Sequence, residues 1–184
     1  SPDQLRLAVA GADNHLRVYS TEDASLHQEQ TAETALHAVQ FAPGGREILT
    51  GSADGLVSQW AFAAPMATAE LAGHTGPIYS IAFSNDGKFL ASAAGDQTAR
   101  IWNRETGEQA QQLAGHAGAV YSVRFSADAS QLATAGIDGT VRIWNAANGA
   151  AVRTISPELA EGQAPPAMYD VALSANGQTV AAAG

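Results

Sequence analysis

Three tryptophans, Trp60, Trp102 and Trp144, divide the chain at a fixed interval of 42 residues, and the text around them repeats with them: ARIWNRETGE at 99–108 returns as VRIWNAANGA at 141–150. The same step pairs Phe41 with Phe83 and Phe125, Asp54 with Asp96 and Asp138, and His74 with His116. Tyr19 stands 41 residues before Trp60 as a degenerate first member. The chain is an array of one unit, and that period restricts its fold more than any feature of its composition.

A period of 40 to 45 residues points to propeller blades rather than to helical solenoids. Within one period the signals are those of strands. IYSIAFS (78–84) runs through Asn85-Asp86-Gly87 to KFLASAA (88–94), then through Gly95-Asp96-Gln97 to TARIWN (98–103), and through Glu105-Thr106-Gly107 to EQAQQLA (108–114). Short runs bounded by Asp, Asn and Gly turns, without apolar residues at helical spacing, predict four antiparallel strands per unit, here a, b, c and d. The fold class expected is all-β, made of four-stranded propeller blades.

These residues resemble the WD-repeat (WD40) β-propeller family over nearly the whole chain. Gly73-His74 and Gly115-His116 are similar to that family's Gly-His pair before strand a, and Ile101-Trp102-Asn103 and Ile143-Trp144-Asn145 to its closing Trp-Asp, with Asn in place of Asp. The resemblance implies a buried network of His74, Ser92, Asp96 and Trp102 in one blade and of His116, Thr134, Asp138 and Trp144 in the next. The second blade keeps Thr50, Asp54 and Trp60 but has Ala32 where the histidine belongs. The first keeps only Asp13, with Val9 and Tyr19 at the other positions. The residue types fit such a network on chemical grounds: an indole N–H, a hydroxyl, an imidazole and a carboxylate can satisfy one another, and each group left unpaired in a buried site costs about 1–3 kcal/mol. The histidines are therefore expected to be structural. With no cysteine, no HxxH spacing and no more than two histidines in any blade, zinc has nothing to hold it, and no cofactor is implied.

At 184 residues and 46% hydrophobic content the chain is long enough for one good-sized globular domain. It contains no apolar run of 18 residues and no signal-peptide pattern at Ser1, so no membrane insertion is expected. The net charge of -9 argues against a nucleic-acid partner, because phosphate binding needs a concentrated field of Lys and Arg. Arg17, Arg100 and Arg142 recur, but one per strand c, which makes them a repeated structural position rather than a basic patch.

Counting strands, LRLAVAG (5–11) aligns with strand b and QTVAAAG (178–184) with strand b again. The expected division is a partial blade over 1–31, full blades over 32–73, 74–115 and 116–157, and a partial blade over 158–184. Such a count predicts an open segment of a longer, seven-bladed ring, which missing blades or a second chain would complete. A closed four-bladed ring, the alternative, leaves the last strand without a place.

No catalytic signature is present, neither G-x-S-x-G nor a phosphate loop, a calcium loop or paired carboxylates on a shared element. An enzyme would have to be built from His37 and Asp170, which fall near one repeat position. Strand a supplies a better candidate. Its apolar residues fall at Ile78, Ile81 and Phe83, with Val120, Val123 and Phe125, Leu36, Val39 and Phe41, and Met168, Val171 and Leu173 in register. A gap of three followed by a gap of two marks a β-bulge, which re-aims the side chain beside it. The residues there are His37, Tyr79, Tyr121 and Tyr169. In proteins of the resembling family this position lines the rim of the central opening, on the face of the d–a and b–c loops.

The second candidate is an insertion. From Phe125 to Leu173 is 48 residues, six beyond the period, and the excess falls in SPELAEGQAPP (156–166), with Glu158 at the histidine position and Glu161 nearby. Insertions in repeat proteins map to loops, often on the binding face. The expected function is a non-catalytic scaffold that binds a peptide or protein through these residues. The alternative is a propeller domain of a larger enzyme or signalling protein, positioning a catalytic partner outside this chain. On the opposite face, Asp86 and Asp128 in the a–b turns are expected to matter neither to folding nor to binding.

Overall fold

Each predicted run becomes a strand because its ends are turn-formers and its interior alternates or is wholly apolar. The computed structural model describes residues 1–62, 69–158, 165–174 and 177–184. Within them lie seventeen strands in five antiparallel sheets. Blade 1 has β1 (Arg6–Ala10), β2 (His15–Ser20) and β3 (Leu26–Thr31). Blade 2 has β4 (Leu36–Phe41), β5 (Glu47–Ser52), β6 (Val57–Ala61) and β7 (Ala69–Leu71). Blade 3 has β8 (Ile78–Phe83), β9 (Phe89–Ala94), β10 (Thr98–Asn103) and β11 (Gln109–Ala114). Blade 4 has β12 (Val120–Phe125), β13 (Gln131–Gly136), β14 (Val141–Asn145) and β15 (Ala151–Ile155), and blade 5 has β16 (Asp170–Leu173) and β17 (Val180–Ala183). Strands pair in chain order within every sheet, as in a meander, and the sheets stack in sequence as an open array rather than a closed barrel.

The apolar core is distributed over four seams between neighbouring blades. Leu16 and Val18 of blade 1 meet Leu36, Ile48 and Trp60 of blade 2. Leu49 and Val57 meet Ile78, Ile81, Leu90 and Trp102 across the second seam. Ile101 and Leu113 meet Val120, Val123, Leu132 and Trp144 across the third, and Val141 and Ile143 meet Val171 across the fourth. Strand b is sandwiched on both sides, so five consecutive residues are buried in each of β5, β9 and β13. That is why it reads as a continuous run of small and branched residues (ILTGS, LASAA, LATAG) rather than an alternation. β1 has a neighbour on one face alone: Leu7 and Val9 stay 56% and 40% exposed. Among the described residues, no helix is long and apolar enough to cross a membrane.

Candidate functional site

The bulge expected in strand a is present in all three complete blades. The register with strand b slips between Leu36 and Ala38, between Ile78 and Ser80, and between Val120 and Ser122. The residue skipped is His37, Tyr79 or Tyr121. Freed from the pairing, these side chains turn toward one another across the blades. His37 and Tyr79 have ring centroids 6.1 Å apart, Tyr79 and Tyr121 5.0 Å, and Tyr121 and Tyr169 5.2 Å, with interplanar angles of 39°, 53° and 36°. Four rings from four blades thus form one tilted row. Tyr169 precedes β16, where its N–H donates to Ala183 O at 2.8 Å. The ends of the row, His37 and Tyr169, are exposed, and its middle is half-buried.

The row lies where the d–a loops meet the b–c turns. Gly95 N donates to Pro77 O at 2.8 Å, Ile137 N to Ala119 O at 2.9 Å, and Ala53 N to Ala35 O at 2.9 Å, locking the two loops of each blade together. A Cβ on Gly95 would sit 3.5 Å from the Tyr79 ring. Pro165, which closes the insertion, packs on the b–c turn of blade 4, so close to Gly139 that a Cβ there would lie 2.4 Å from it. Of the two glutamates named in this insertion, Glu158 is exposed, and Glu161 lies outside the described residues.

Asp170 is engaged rather than free. Its carboxylate accepts from Ser122 Oγ at 2.7 Å and from Arg124 Nη2 at 3.4 Å, while Arg124 Nη1 reaches Ser80 Oγ at 3.1 Å. The Ser122 hydrogen bond foremost, with help from the Val171 N–H and Arg124, outweighs partial burial and holds Asp170 below the usual carboxylate range. This polar strip ties blades 3, 4 and 5 beneath the rings, and it was not legible in the repeats. His37 and Asp170, the pair an enzyme would have needed, belong to blades 2 and 5, with the Tyr79 and Tyr121 rings between them, and so do not form a dyad.

Beside the row stand the buried networks. In blade 3 Trp102 Nε1 donates to Ser92 Oγ at 2.8 Å, His74 Nε2 meets the same oxygen at 2.8 Å, and His74 Nδ1 meets Asp96 Oδ2 at 2.8 Å. In blade 4 the corresponding distances are 2.8 Å for Trp144 to Thr134, 2.7 Å for His116 to Thr134 and 3.0 Å for His116 to Asp138. Each aspartate also accepts a loop N–H, from Thr75 at 3.1 Å and Ala117 at 2.9 Å. The histidine side chains are fully enclosed, and burial keeps both imidazoles below their ordinary pKa of 6.5 against the raising pull of the paired aspartate. For Asp96 and Asp138 burial pushes upward but is outweighed. In Asp96 the His74 and Thr98 hydrogen bonds lead, and in Asp138 the Ala117 N–H and His116 hold the carboxyl at about 2. These rings are occupied as braces. Among the described residues no group of three or more His, Asp or Glu side chains is arranged to hold a metal ion.

The glycine before each histidine has a steric cause. A Cβ on Gly73 would lie 2.5 Å from Arg100 Nη1 and 3.1 Å from Trp102, and one on Gly115 would lie 2.8 Å from Arg142 Nη1. The strand c arginines therefore stack over the network, as a repeated structural position should. In blade 2 Thr31 stands at the glycine position and Ser58 at the arginine position. Here Trp60 Nε1 still donates to Thr50 Oγ1 at 2.8 Å, but Ala32 has no ring to continue the chain. Asp54 keeps the bond from the N–H two residues on, Leu56 at 3.3 Å, as Asp96 keeps that from Thr98 at 3.1 Å, and in place of an imidazole it accepts from Ser52 Oγ.

The a–b turns correct one expectation. Ser84 Oγ donates to Asp86 Oδ1 at 2.6 Å, Lys88 N donates to the same oxygen at 3.1 Å, and Phe89 N donates to Ser84 Oγ at 2.9 Å. Ser126, Asp128, Ser130 and Gln131 repeat the pattern. Asp86 and Asp128 are thus built into the turn and are not neutral control positions. The spaced Ser-x-Asp was the available signal.

Stacked four-stranded meanders, two of them closed by a tryptophan–hydroxyl–imidazole–carboxylate chain, define a repeat protein of the β-propeller class. The sequence matches the family model described as WD domain, G-beta repeat at residues 25–61, 66–103 and 107–145, more than half of the chain, and it belongs to that family. Each match begins near strand d of one blade and ends at the closing Trp of the next, so every repeat spans a seam. Protein HIR1 of Gibberella zeae is 35% identical over an alignment of 71 residues, which covers 31% of this chain and 7% of that protein's length. Repeats of this family generally mediate contacts between proteins.

Proposed function

We propose that the chain is a non-catalytic scaffold presenting the row His37, Tyr79, Tyr121 and Tyr169 to a peptide or protein segment, with Glu158 and Glu161 of the 156–166 insertion as further contacts. The observation that carries the reading is the continuity of the row: four rings within 6.1 Å of their neighbours, three of them at bulges in strand a. Aromatic rings supply large contact area at low conformational cost and carry an amphipathic edge, the properties that concentrate binding energy at interface centres. Asp170, braced by Ser122, adds one acceptor at the end of the row. Blades supplied by a second chain or by a longer form of this one would extend the arc without altering the row.

The test is a peptide-display selection on the folded chain, followed by titration of the selected peptides against single alanine variants of Tyr79, Tyr121 and Tyr169. Each loss is expected to cost about 1–2 kcal/mol of binding while leaving the fold in place. Selected peptides that bind the triple variant unchanged would move the interaction to another face. A second reading, a propeller acting within a larger enzyme or signalling protein, is favoured by one observation: the matched segment is a small part of the relative it resembles.

A further inference from the structure

Blade 2 contains a cavity of about 190 Å³ beneath the Ala32 loop, and its lining is defined by two substitutions against the neighbouring blades. Ala32 replaces the histidine seen as His74 and His116, and Ser58 replaces the arginine seen as Arg100 and Arg142. In blade 3 those two basic groups face one carboxylate, with His74 Nδ1 at 2.8 Å and Arg100 Nη2 at 4.0 Å from Asp96. In blade 2 both are gone and the carboxylate, Asp54, remains. Two more carboxylates join it: Glu33 stands where the other blades have Thr75 and Ala117, and Glu70 where they have Gln112 and Thr154. All three line the cavity, Trp60 forms part of its wall, and among the described residues no Lys, Arg or His lines it. Thr34 lies beside Asp54 with its hydroxyl oxygen buried and short of a well-formed hydrogen bond.

We propose that this cavity binds a small imidazole-bearing cation. The template is internal to the molecule. In blade 3 an imidazole stands with its centroid 6.2 Å from Trp102, one nitrogen on the carboxylate, and a guanidinium close by. A ligand carrying a ring and an ammonium on a short arm restores both features at once, the ring against Trp60 and Asp54, the ammonium among Glu33 and Glu70. Glu33, Asp54 and Glu70 are solvent-exposed at the mouth of the cavity, and three carboxylates lining one concave site with no basic group among them favour a cation there. Asp54 is kept ionised to lower pH than an ordinary aspartate: burial pushes it up, but the Ser52 hydroxyl and the Leu56 N–H outweigh that push. This site is independent of the aromatic row.

The chain carries its own controls, because its three tryptophans report three equivalent positions, two of them already filled by histidine. In a titration with histamine followed by the indole N–H signals, the Trp60 signal should move and saturate with Kd on the order of 1 mM, as expected of so few ligand atoms, while those of Trp102 and Trp144 stay. Imidazole alone should bind severalfold more weakly, and ethylammonium, charge without the ring, should leave Trp60 unmoved. Ala32→His should abolish the response and raise the melting temperature. Asp54→Asn, read in the same titration, should weaken binding at least severalfold and keeps the proposal testable if the first variant misfolds. Three signals moving together, no Trp60 response, ethylammonium matching histamine, or a response that survives Ala32→His would each overturn it.

Discussion

In blade 3 the Trp102 indole, the Ser92 hydroxyl, the His74 ring and the Asp96 carboxylate are joined by links of 2.8 Å, and the aspartate reaches on to the Thr75 backbone. In blade 2 the first link, Trp60 to Thr50 at 2.8 Å, survives, and Ala32 ends it. Both blades nevertheless form four strands with the same bulge, and both pack into seams of comparable composition. The strand pairing and the seam therefore do not depend on the complete network. What the network adds is attachment of the d–a loop to the sheet, and where it is cut short a cavity opens under that loop.

The sharpest way to break this comparison is to remove the carboxylate from each blade. Asp96→Ala orphans the enclosed His74 nitrogen together with the Thr75 and Thr98 N–H groups, and should cost about 3 kcal/mol in urea unfolding. Asp54→Ala loses bonds to Ser52 and Leu56 at a more open site and should cost about 1 kcal/mol. Equal losses would show that the histidine chain contributes nothing beyond a turn.

Acid should separate the blades next. His74 and His116 are harder to protonate in the folded protein than in the unfolded chain, whose imidazoles titrate near 6.5. The unfolded state takes up protons first, so stability is full above that value and falls as the pH drops below it. The depressed Asp96 and Asp138 add a further loss in the same direction once the pH falls below 3.8. Unfolding midpoints measured from pH 7.5 to 5 should decline for the native chain. They should flatten for the double variant His74→Ala/His116→Ala, since blade 2 has no histidine at this position to contribute. An unchanged slope in that variant would assign the acid sensitivity to other groups.

The smallest effect concerns the opposite face. Asp86→Ala and Asp128→Ala should each lower the melting temperature measurably, by less than Asp96→Ala, because solvent can replace the exposed turn bonds they make. Neither should change peptide binding if the aromatic row is the interacting face.

Much of this was legible because a 42-residue repeat lets one unit be read against another. Strand edges fell within about two residues of those observed, since Asp, Asn and Gly mark the turns locally. The bulge was legible in the three-then-two spacing of Ile78, Ile81 and Phe83, because the apolar residues must still reach the seam around the extra residue. Less visible were features that depend on contacts between blades. Ser80, Ser122 and Arg124 look like ordinary strand residues until the Asp170 carboxylate of blade 5 is placed over them. The cavity was hidden for a different reason: it arises from side chains that are missing at 32 and 58, and one position read by itself does not reveal that its partner has changed too.

The bulge has a consequence for how such a protein diversifies. A residue that pairs with nothing in strand b does not set the register, so exchanging it leaves the sheet's pairing intact. The chain already contains this exchange, histidine at 37 and tyrosine at 79 and 121, on three backbones that slip at the same place. Each of these three blades thus carries one position outside its own strand pairing. Duplicating the unit multiplies recognition positions that can drift separately, and the specificity of the face can be rewritten one ring at a time while the architecture is inherited unchanged.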